Sequence, residues 1–222
     1  MAKLIWDQTG QRFYETGVKK GVLYVQKTDG SYDKGVVWNG LTAVTQSPSG
    51  AEATPLYADD TKYVEMMSNE DFGGTIEAYT YPDEFAACDG SASLATGVTV
   101  AQQARKTFGF SYVTTVGNDT AGNDFGYKIH IVYGAKASPS EKAYATINDS
   151  PEAITFSWEF STTPVAVGEG FKPTSHIEID STKVNDTTKM AALETLLWGG
   201  EGETANPKLP TPAEIKAIFE EA

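Results

Sequence analysis

Strict alternation of apolar and polar side chains over residues 153–162 constrains the fold of this chain most. In the sequence AITFSWEFST, every second position holds a large apolar side chain: Ile154, Phe156, Trp158 and Phe160. Successive side chains of a strand point to opposite faces, so these four share one face and polar side chains occupy the other. Burying them contributes roughly 6–12 kcal/mol before the entropy of ordering is subtracted. The segment is therefore predicted to be a core strand with one wet face.

Similar runs recur along the chain and predict a mainly β fold. Clusters rich in Gly, Asn, Asp, Ser and Pro, which favour turns, separate them. The clearest runs are GTIEAYTY (74–81), TFGFSYVTTV (107–116), GYKIHIVYG (126–134) and SHIEIDS (175–181). Asn39-Gly40 predicts a short hairpin, because both residues tolerate the positive φ of a type I′ turn. We expect an antiparallel β-sandwich or partial barrel.

Helices are expected mainly near the C terminus, with one short helix possible in PDEFAACDG (82–90). Residues 186–198 form an apolar face and are followed by Gly199-Gly200 as a stop. The residues of that face are Met190, Leu193, Leu197 and Trp198. Thr211-Pro212-Ala213-Glu214 is a capping-box pattern, which predicts the start of a last helix. A Gly-, Pro- and acid-rich linker separates it from the body, and we assign residues 199–222 to this linker and helix.

The charge balance argues against a protein that grips nucleic acid. Seventeen Lys and Arg residues face thirty Asp and Glu residues, a formal net charge of -13. Such a surface repels DNA, although a surface along which DNA slides without sticking also needs few exposed cations. No apolar run approaches the ~18 residues of a membrane span, so neither export nor a membrane partner is expected. A single cysteine, Cys88, favours a reducing compartment.

One strand carries an enzyme-like pattern. His176, Glu178 and Asp180 alternate on one face, as at the start of the E-x-D-x(1,2)-E signature of a β-sandwich glycoside hydrolase family. A retaining mechanism needs a second carboxyl group ~5 Å from the first. Thr182 and Lys183 stand where that second Glu should fall. We therefore interpret the strand as a polar sheet surface and assign no catalytic residue.

No metal or cofactor site is predicted either. The two histidines, His130 and His176, are far apart in sequence and lack paired ligand spacing. The loop 117–124 is rich in oxygen ligands, but it lacks the order of a calcium loop and its distal Glu. Asn, Asp and Gly dominate hairpin loops for backbone reasons, so a β-hairpin loop is the preferred interpretation.

Six segments together span most of residues 12–198. They are RFYETGVKKGVLYV (12–25), VVWNGLTAVTQSPSGAEATPLYADDTKYV (36–64), GTIEAYTYPDEFAACDG (74–90), QARKTFGFSYVTTVGNDT (103–120), GYKIHIVYGAKASPSEKAYATINDSPEAITFSWEFSTTPV (126–165) and KPTSHIEIDSTKV (172–184). In their order and spacing, the chain resembles the major tail tube protein of long-tailed, non-contractile bacteriophages, mainly of Gram-positive hosts. The tail after Gly199 carries no resemblance.

The resemblance implies a β-sandwich with a flanking helix, made in the bacterial cytoplasm and built into the virion tail. Six copies would form a ring whose inner sheets join into one large barrel, and stacked rings would form a tube. Barrels of 16–18 strands already leave an aqueous channel. The tube would enclose the tape-measure protein and later pass DNA without binding it specifically. Its other partners would be the tail terminator and distal tail proteins, and neither catalysis nor a cofactor is implied.

On this basis residues 1–17 are interpreted as an N-terminal arm and residues 18–198 as the tail-tube domain. Residues 45–60 would form an extended loop that reaches a neighbouring subunit or ring. Its candidate contact residues are Ser47, Pro48, Ser49, Gly50, Glu52 and Tyr57. The wet face of the core strand would line the lumen, through Thr155, Ser157, Glu159, Ser161 and also Glu77. Two alternatives stay open: a carbohydrate-active enzyme using Glu159 or Glu178, and a carbohydrate- or receptor-binding β-sandwich module.

Overall fold

A computed structural model of the chain describes residues 3–147, 149–150, 152–200 and 206–220. Strands hold 45% of the residues and helices 12%, which confirms the predicted mainly β, antiparallel fold. The strands of the main sheet are β1 (Phe13–Val25), β2 (Val36–Trp38), β3 (Leu41–Gln46), β8 (Gly73–Ala78), β11 (Phe108–Asn118), β12 (Gly122–Ala137), β13 (Phe156–Thr162) and β14 (His176–Asp180). Smaller pairs are formed by β4 (Ser49–Gly50) with β7 (Glu70–Asp71), β5 (Ala53–Ala58) with β6 (Thr61–Met67), and β9 (Ala92–Ala95) with β10 (Val98–Val100). The helices are a 3-10 turn (Asp83–Ala87), α1 (Thr187–Trp198) and α2 (Pro212–Phe219).

The main sheet curls back on itself. Its strands follow the order β2-β1-β11-β12-β13-β8-β3, and β14 pairs beside β13 along β12. The two ends of this path, β2 and β3, are joined by Asn39-Gly40 alone, so they must lie close together. A Cβ on Gly21 of β1 would lie 2.4 Å from the Leu41 side chain of β3. The sheet is therefore a partial barrel, as predicted.

The prediction at Asn39-Gly40 was wrong in one respect. A tight connection is present, but β2 pairs with β1 and β3 pairs with β8, so the two strands that flank it do not form a hairpin. Gly40 has a φ of 75°, whereas Asn39 does not have a positive φ. The connection instead turns a corner between the two ends of the barrel.

The barrel interior is filled mainly by aromatic side chains. Trp38, Phe85 and Trp158 meet there with ring centroids 4.5–5.6 Å apart. The Trp38 indole N–H donates to the Thr80 carbonyl, which satisfies its one polar atom. The alternation predicted for the core strand is confirmed, because Trp158 and Phe160 are buried in this cluster and Glu159 is exposed. This core joins the two halves of the curled sheet.

The two α-helices, α1 and α2, cover the outer face of β1, β11, β12 and β14. Ile129 and Ile131 of β12 face outwards and pack with Leu193 and Leu197 of α1 and with Ile215 of α2. The Asp186 side chain accepts from the Thr188 N–H and caps α1, and Gly199 follows its last residue, as predicted. The predicted capping box at Thr211 is also present, with Glu214 as its partner. The last helix is thus part of the packed body.

Several strands are longer or shorter than their sequence patterns indicate. β12 runs for 16 residues and β11 for 11, joined by the predicted hairpin loop, in which the Asn118 side chain accepts from Thr120 and Ala121. β1 begins at Phe13, within the segment expected as an N-terminal arm. β13 begins only at Phe156, so Thr155 precedes the strand.

Candidate assembly surfaces

A two-stranded arm connects β3 to β8 and projects from the barrel. Within the described residues its strands pair only with each other, β4 with β7 at the base and β5 with β6 towards the tip. Asp59 and Asp60 close the tip with φ of 50° and 60°, the left-handed values that a type I′ turn needs. Every residue from 46 to 71 is exposed. Residues 45–60, expected as an extended loop, therefore form the end of β3 and the first half of this hairpin arm.

The arm presents an unusual amount of apolar surface to solvent. Tyr57 and Tyr63 near the tip are 70% and 76% exposed, and Met67 near the base is 70% exposed. Leu56 pairs with Val64 on one face. A lone two-stranded hairpin is marginally stable in water, and exposed apolar surface marks interaction sites. The composition of the arm is therefore typical of a segment that is stabilised by contact with a partner molecule.

All the predicted contact residues of the inter-subunit loop lie on or at the base of this arm. Ser47 stands at its base, where its N–H donates to the Gly73 carbonyl. Further out, Ser49 pairs with Asp71 and Gly50 with Glu70. Pro48, Glu52 and Tyr57 are exposed along the same hairpin. The structure thus puts these residues on a projecting element, and their contact with a neighbour stays a prediction.

The N-terminal segment is a second exposed apolar element. Leu4, Ile5 and Trp6 are 69–74% exposed. The segment is tied down further along, where the Asp119 carboxylate accepts from the Gly10 and Arg12 N–H groups. Partial desolvation raises the pKa of Asp119, but these N–H donors hold it below its ordinary value. The acidic hairpin loop therefore anchors the segment and leaves its apolar start free for contact.

The outer face of β13, β8 and β3 is polar, and no helix of the described chain covers it. Ser157 lies opposite Glu77, and Glu159 lies opposite Thr75, on adjacent strands. Four of the predicted wall residues, Ser157, Glu159, Ser161 and Glu77, thus share this face. Thr155 is exposed just before β13. The α-helices pack on β1, β11, β12 and β14, so among the described residues they leave this face of β13, β8 and β3 open.

A polar groove joins this face to the base of the arm. Its lining includes the arm residues Ser47, Ser49 and Asp71 together with Glu159 and Ser161 of the sheet. The structure therefore brings two of the predicted wall residues, Glu159 and Ser161, next to the predicted contact loop. Among the described residues, no group of three His, Cys, Asp or Glu side chains is placed to hold a metal ion.

A stacked histidine pair, with His130 buried and His176 half-buried, is the feature that the sequence did not reveal. His130 and His176 stack with centroids 5.5 Å apart, and their facing ring nitrogens, Nδ1 and Nε2, are 3.3 Å apart. The stack continues to Tyr112 on one side and to Phe72 on the other. Only the pairing of β12 with β14, which sets Val132 opposite His176, brings the two rings together. They close the inside of the barrel near the arm.

A lysine between two carboxylates borders the histidine pair. Lys128 Nζ lies 2.9 Å from Glu15 and 3.0 Å from Glu178. The hydrogen bond to Glu15 raises the pKa of Lys128, against its desolvation. Burial lowers the pKa of His130, and burial together with His130 lowers the pKa of His176 to about 4. Glu178, a candidate of the enzyme alternative, thus serves in an ion-pair network that joins β1, β12 and β14.

Comparison with solved structures gives a distant similarity. No protein-family model matches the chain, and no curated protein matches it. A solved structure described as an extracellular contractile injection system, a PVC sheath-tube complex in the extended state, matches with a TM-score of 0.30 and 13% identity. The match covers 79% of this chain and 93% of that chain. No helix in the described part of the chain is long and apolar enough to cross a membrane. At this TM-score the likeness carries no weight on function, which is inferred from the geometry of the chain itself.

Proposed function

We propose that the chain is a structural subunit of a bacteriophage tail that self-assembles into a tube. The observation that carries this proposal is the exposed hairpin arm, whose apolar side chains stay largely exposed and whose strands pair only with each other among the described residues. An element of this kind is stabilised by contact with another molecule. A second copy of the chain is the partner proposed here, in stacked hexameric rings.

The polar outer face of β13, β8 and β3 supports a role as the wall of a channel. It carries Glu77 and Glu159 on a protein whose net charge is -13. Carboxylates at such a wall repel the phosphates of DNA, so DNA passes without adhering. In the proposed tube this face lines the lumen, which first encloses the tape-measure protein and then conducts DNA. The helices lie on the opposite side, where they would face outwards.

Electron microscopy of the purified protein tests the proposal. We expect rings at low protein concentration and tubes at high concentration, with an axial channel. A protein that stays monomeric up to millimolar concentration, or that binds or hydrolyses glycans as a monomer, would contradict the proposed function. Sedimentation velocity on the same samples provides the mass of the smallest closed species, which tests the hexamer directly.

A further inference from the structure

An apolar groove opens between β2 and the end of α1. Val22, Val37, Leu197 and Trp198 contribute apolar lining, and Val37 is 64% exposed. Lys20 lies over the Trp198 ring, 4.0 Å from its centroid, so a cation covers part of an aromatic wall. An apolar surface of this kind binds aromatic and aliphatic side chains of a partner.

One lysine lines the groove, and two more are neighbours of lining residues in the sequence. Lys20 lines it, and Lys19 and Lys34 are exposed next to its lining residues Lys20 and Gly35. Within the described residues, none of these three lysines lies within ion-pair distance of a carboxylate. On a chain with 30 acidic and 17 basic residues, three unpaired lysines at one groove are a local reversal of charge.

The arm has the complementary properties. Residues 47–72 contain six carboxylates and one lysine, a net charge of -5. Asp59 and Asp60 form its tip, and the strongly exposed Tyr57 and Tyr63 flank them. A tyrosine offers an apolar ring with a polar end, which suits an apolar groove with a charged border.

The arm and the groove lie at opposite ends of β3. Leu41 begins this strand beside Gly21, which lines the groove, and Gln46 ends it where the arm starts. Six residues of strand separate the two ends by roughly 17 Å, so the arm leaves β3 at the end remote from the groove. The base of the arm is therefore separated from the groove of its own copy. Two complementary surfaces at opposite ends of one molecule associate head to tail and repeat along an axis.

We propose that the tip of the arm, Tyr57 to Tyr63, binds the apolar groove of a second copy. Its tyrosines contact Val37 and Trp198, and Asp59 and Asp60 lie against Lys19 and Lys34. This inference deepens the proposed function, on which it rests, by assigning both partners of the contact between successive rings. The contact is heterologous, so each subunit uses its arm on one side and its groove on the other.

Cross-linking identifies the occupant of the groove. A Val37→Cys protein is mixed with a Tyr57→Cys protein and treated with a short bis-maleimide, which bonds to one thiol at each end. Cys88 is buried, and burial raises the pKa of its thiol to about 12, so it does not compete. We expect dimers on a denaturing gel at least ten-fold above a control pair of Tyr57→Cys with Phe171→Cys, an exposed position elsewhere. Equal yields from both pairs would overturn the inference.

The chain's own acidic linker is the competing occupant. Glu201 and Glu203 belong to the linker between α1 and α2 and lie outside the described residues. A Val37→Cys, Glu203→Cys double variant treated with the same reagent reports this alternative. We expect an intermolecular link from the arm pair to exceed an intrachain link in this variant. The reverse result would assign the groove to the linker and overturn the inference.

Charge-reversal variants test the arm-to-groove contact independently of the proposed tube-forming function. A groove variant, Lys19→Glu with Lys34→Glu, and an arm variant, Asp59→Lys with Asp60→Lys, should each form rings that stack only at a protein concentration about ten-fold or more above wild type. Mixed together, the negative arm of the groove variant meets the positive groove of the arm variant, and the positive arm meets the negative groove. Alternating rings should therefore stack into tubes near the wild-type concentration. A chain carrying all four changes should recover long tubes.

The outcomes of this test are distinct. If wild-type protein forms no ring or tube, the proposed function fails. If wild-type protein forms tubes and both charge variants form them at the same concentration, the proposed function stands and the arm-to-groove contact is excluded. Circular dichroism of each variant checks that its fold is retained.

Discussion

At the scale of single residues, Gly134 allows β12 to exchange one partner strand for another. It lies in β12 where this strand changes its partner from β14 to β13. Its φ is 60°, and a Cβ added there would lie 2.3 Å from the Thr163 carbonyl oxygen. The Gly134 carbonyl also accepts from the Thr163 N–H, so the two backbones cannot separate without losing this bond. Only glycine meets both conditions.

We expect Gly134→Ala to lower the free energy of unfolding by about 3 kcal/mol or more. About 1–2 kcal/mol comes from the left-handed backbone, and the remainder comes from displacing Thr163. Gly122→Ala is the matched control, because Gly122 has a φ of 58° but nothing within 4 Å of an added Cβ. Urea unfolding followed by tryptophan fluorescence measures both. Equal losses in the two variants would show that the close approach to Thr163 has no cost of its own.

The histidine pair makes the stability of the barrel depend on pH. Burial holds the pKa of His176 at about 4, against an ordinary value of 6.5. The unfolded chain therefore takes up a proton between these values when the folded chain does not, and stability falls as pH falls through this window. The shift corresponds to about 3 kcal/mol, which remaining solvent access reduces to about 2.

We expect the free energy of unfolding to drop by about 2 kcal/mol between pH 7 and pH 4 through this ring. Phenylalanine keeps the stack on Phe72 and cannot titrate, so His176→Phe should flatten the dependence by that amount. Urea titrations at several pH values measure the slope. Carboxylates titrate in both proteins and cancel in the difference. Identical slopes in wild type and variant would contradict the assignment.

At the scale of elements, the local patterns predicted most of the fold. Alternation located the core strand 156–162, and the capping box at Thr211 located the start of α2, because each depends on residues close in sequence. The surface on which α2 packs could not be predicted in the same way. Its buried residues, Ile215 and Pro212, meet a sheet face built from distant strands, and no local pattern reports that contact.

The ion pairs that the sequence does not predict depend on strand register. Glu15, Lys128 and Glu178 lie on three different strands, and their ion pairs exist only because β1, β11, β12 and β14 pair in the observed register. The arm was also misread as a loop. Asp59-Asp60 is a weaker turn signal than Asn-Gly. The apolar residues on either side of it are exposed, whereas a strand pattern in sequence normally indicates a buried face.

The arm is separable from the barrel, since its strands pair with no other part of the described chain. We expect replacement of residues 48–71 by Gly-Asn-Gly to leave the midpoint of thermal unfolding within a few degrees of wild type. Phe72 is kept, because it packs on Phe160 and His176. Rings should still form, and stacking into tubes should be lost. Calorimetry and electron microscopy measure the two properties, and full-length tubes from the shortened chain would show that the arm is dispensable for assembly.

At the scale of the whole molecule, the α-helices lie on one half of the curled sheet, formed by β1, β11, β12 and β14. The aromatic core separates this half from the other, formed by β13, β8 and β3, which has an open polar face. Among the described residues, the α-helices shield one side with apolar contacts and leave the polar face of β13, β8 and β3 exposed to solvent. Glu77 and Glu159 put carboxylates on that surface. In the proposed tube, passage of DNA along it requires weak repulsion without discrete binding sites.

Reversing the charge of this face is the test that belongs to the assembled tube. Glu77→Lys with Glu159→Lys changes the net charge of each subunit by four units and puts two cations on the polar face of every copy. In phage particles built from this variant, we expect DNA delivery to slow on the order of ten-fold, because phosphates bind the new lysines along the whole channel, and added salt should partly restore it. Glu141→Lys with Glu169→Lys, at two exposed positions outside this face, makes the same change in net charge and should deliver DNA normally. Normal delivery by the Glu77 and Glu159 variant, or a map of the tube with Glu159 on its outer surface, would place this face away from the lumen. Equal slowing in both variants would instead trace the effect to net charge alone.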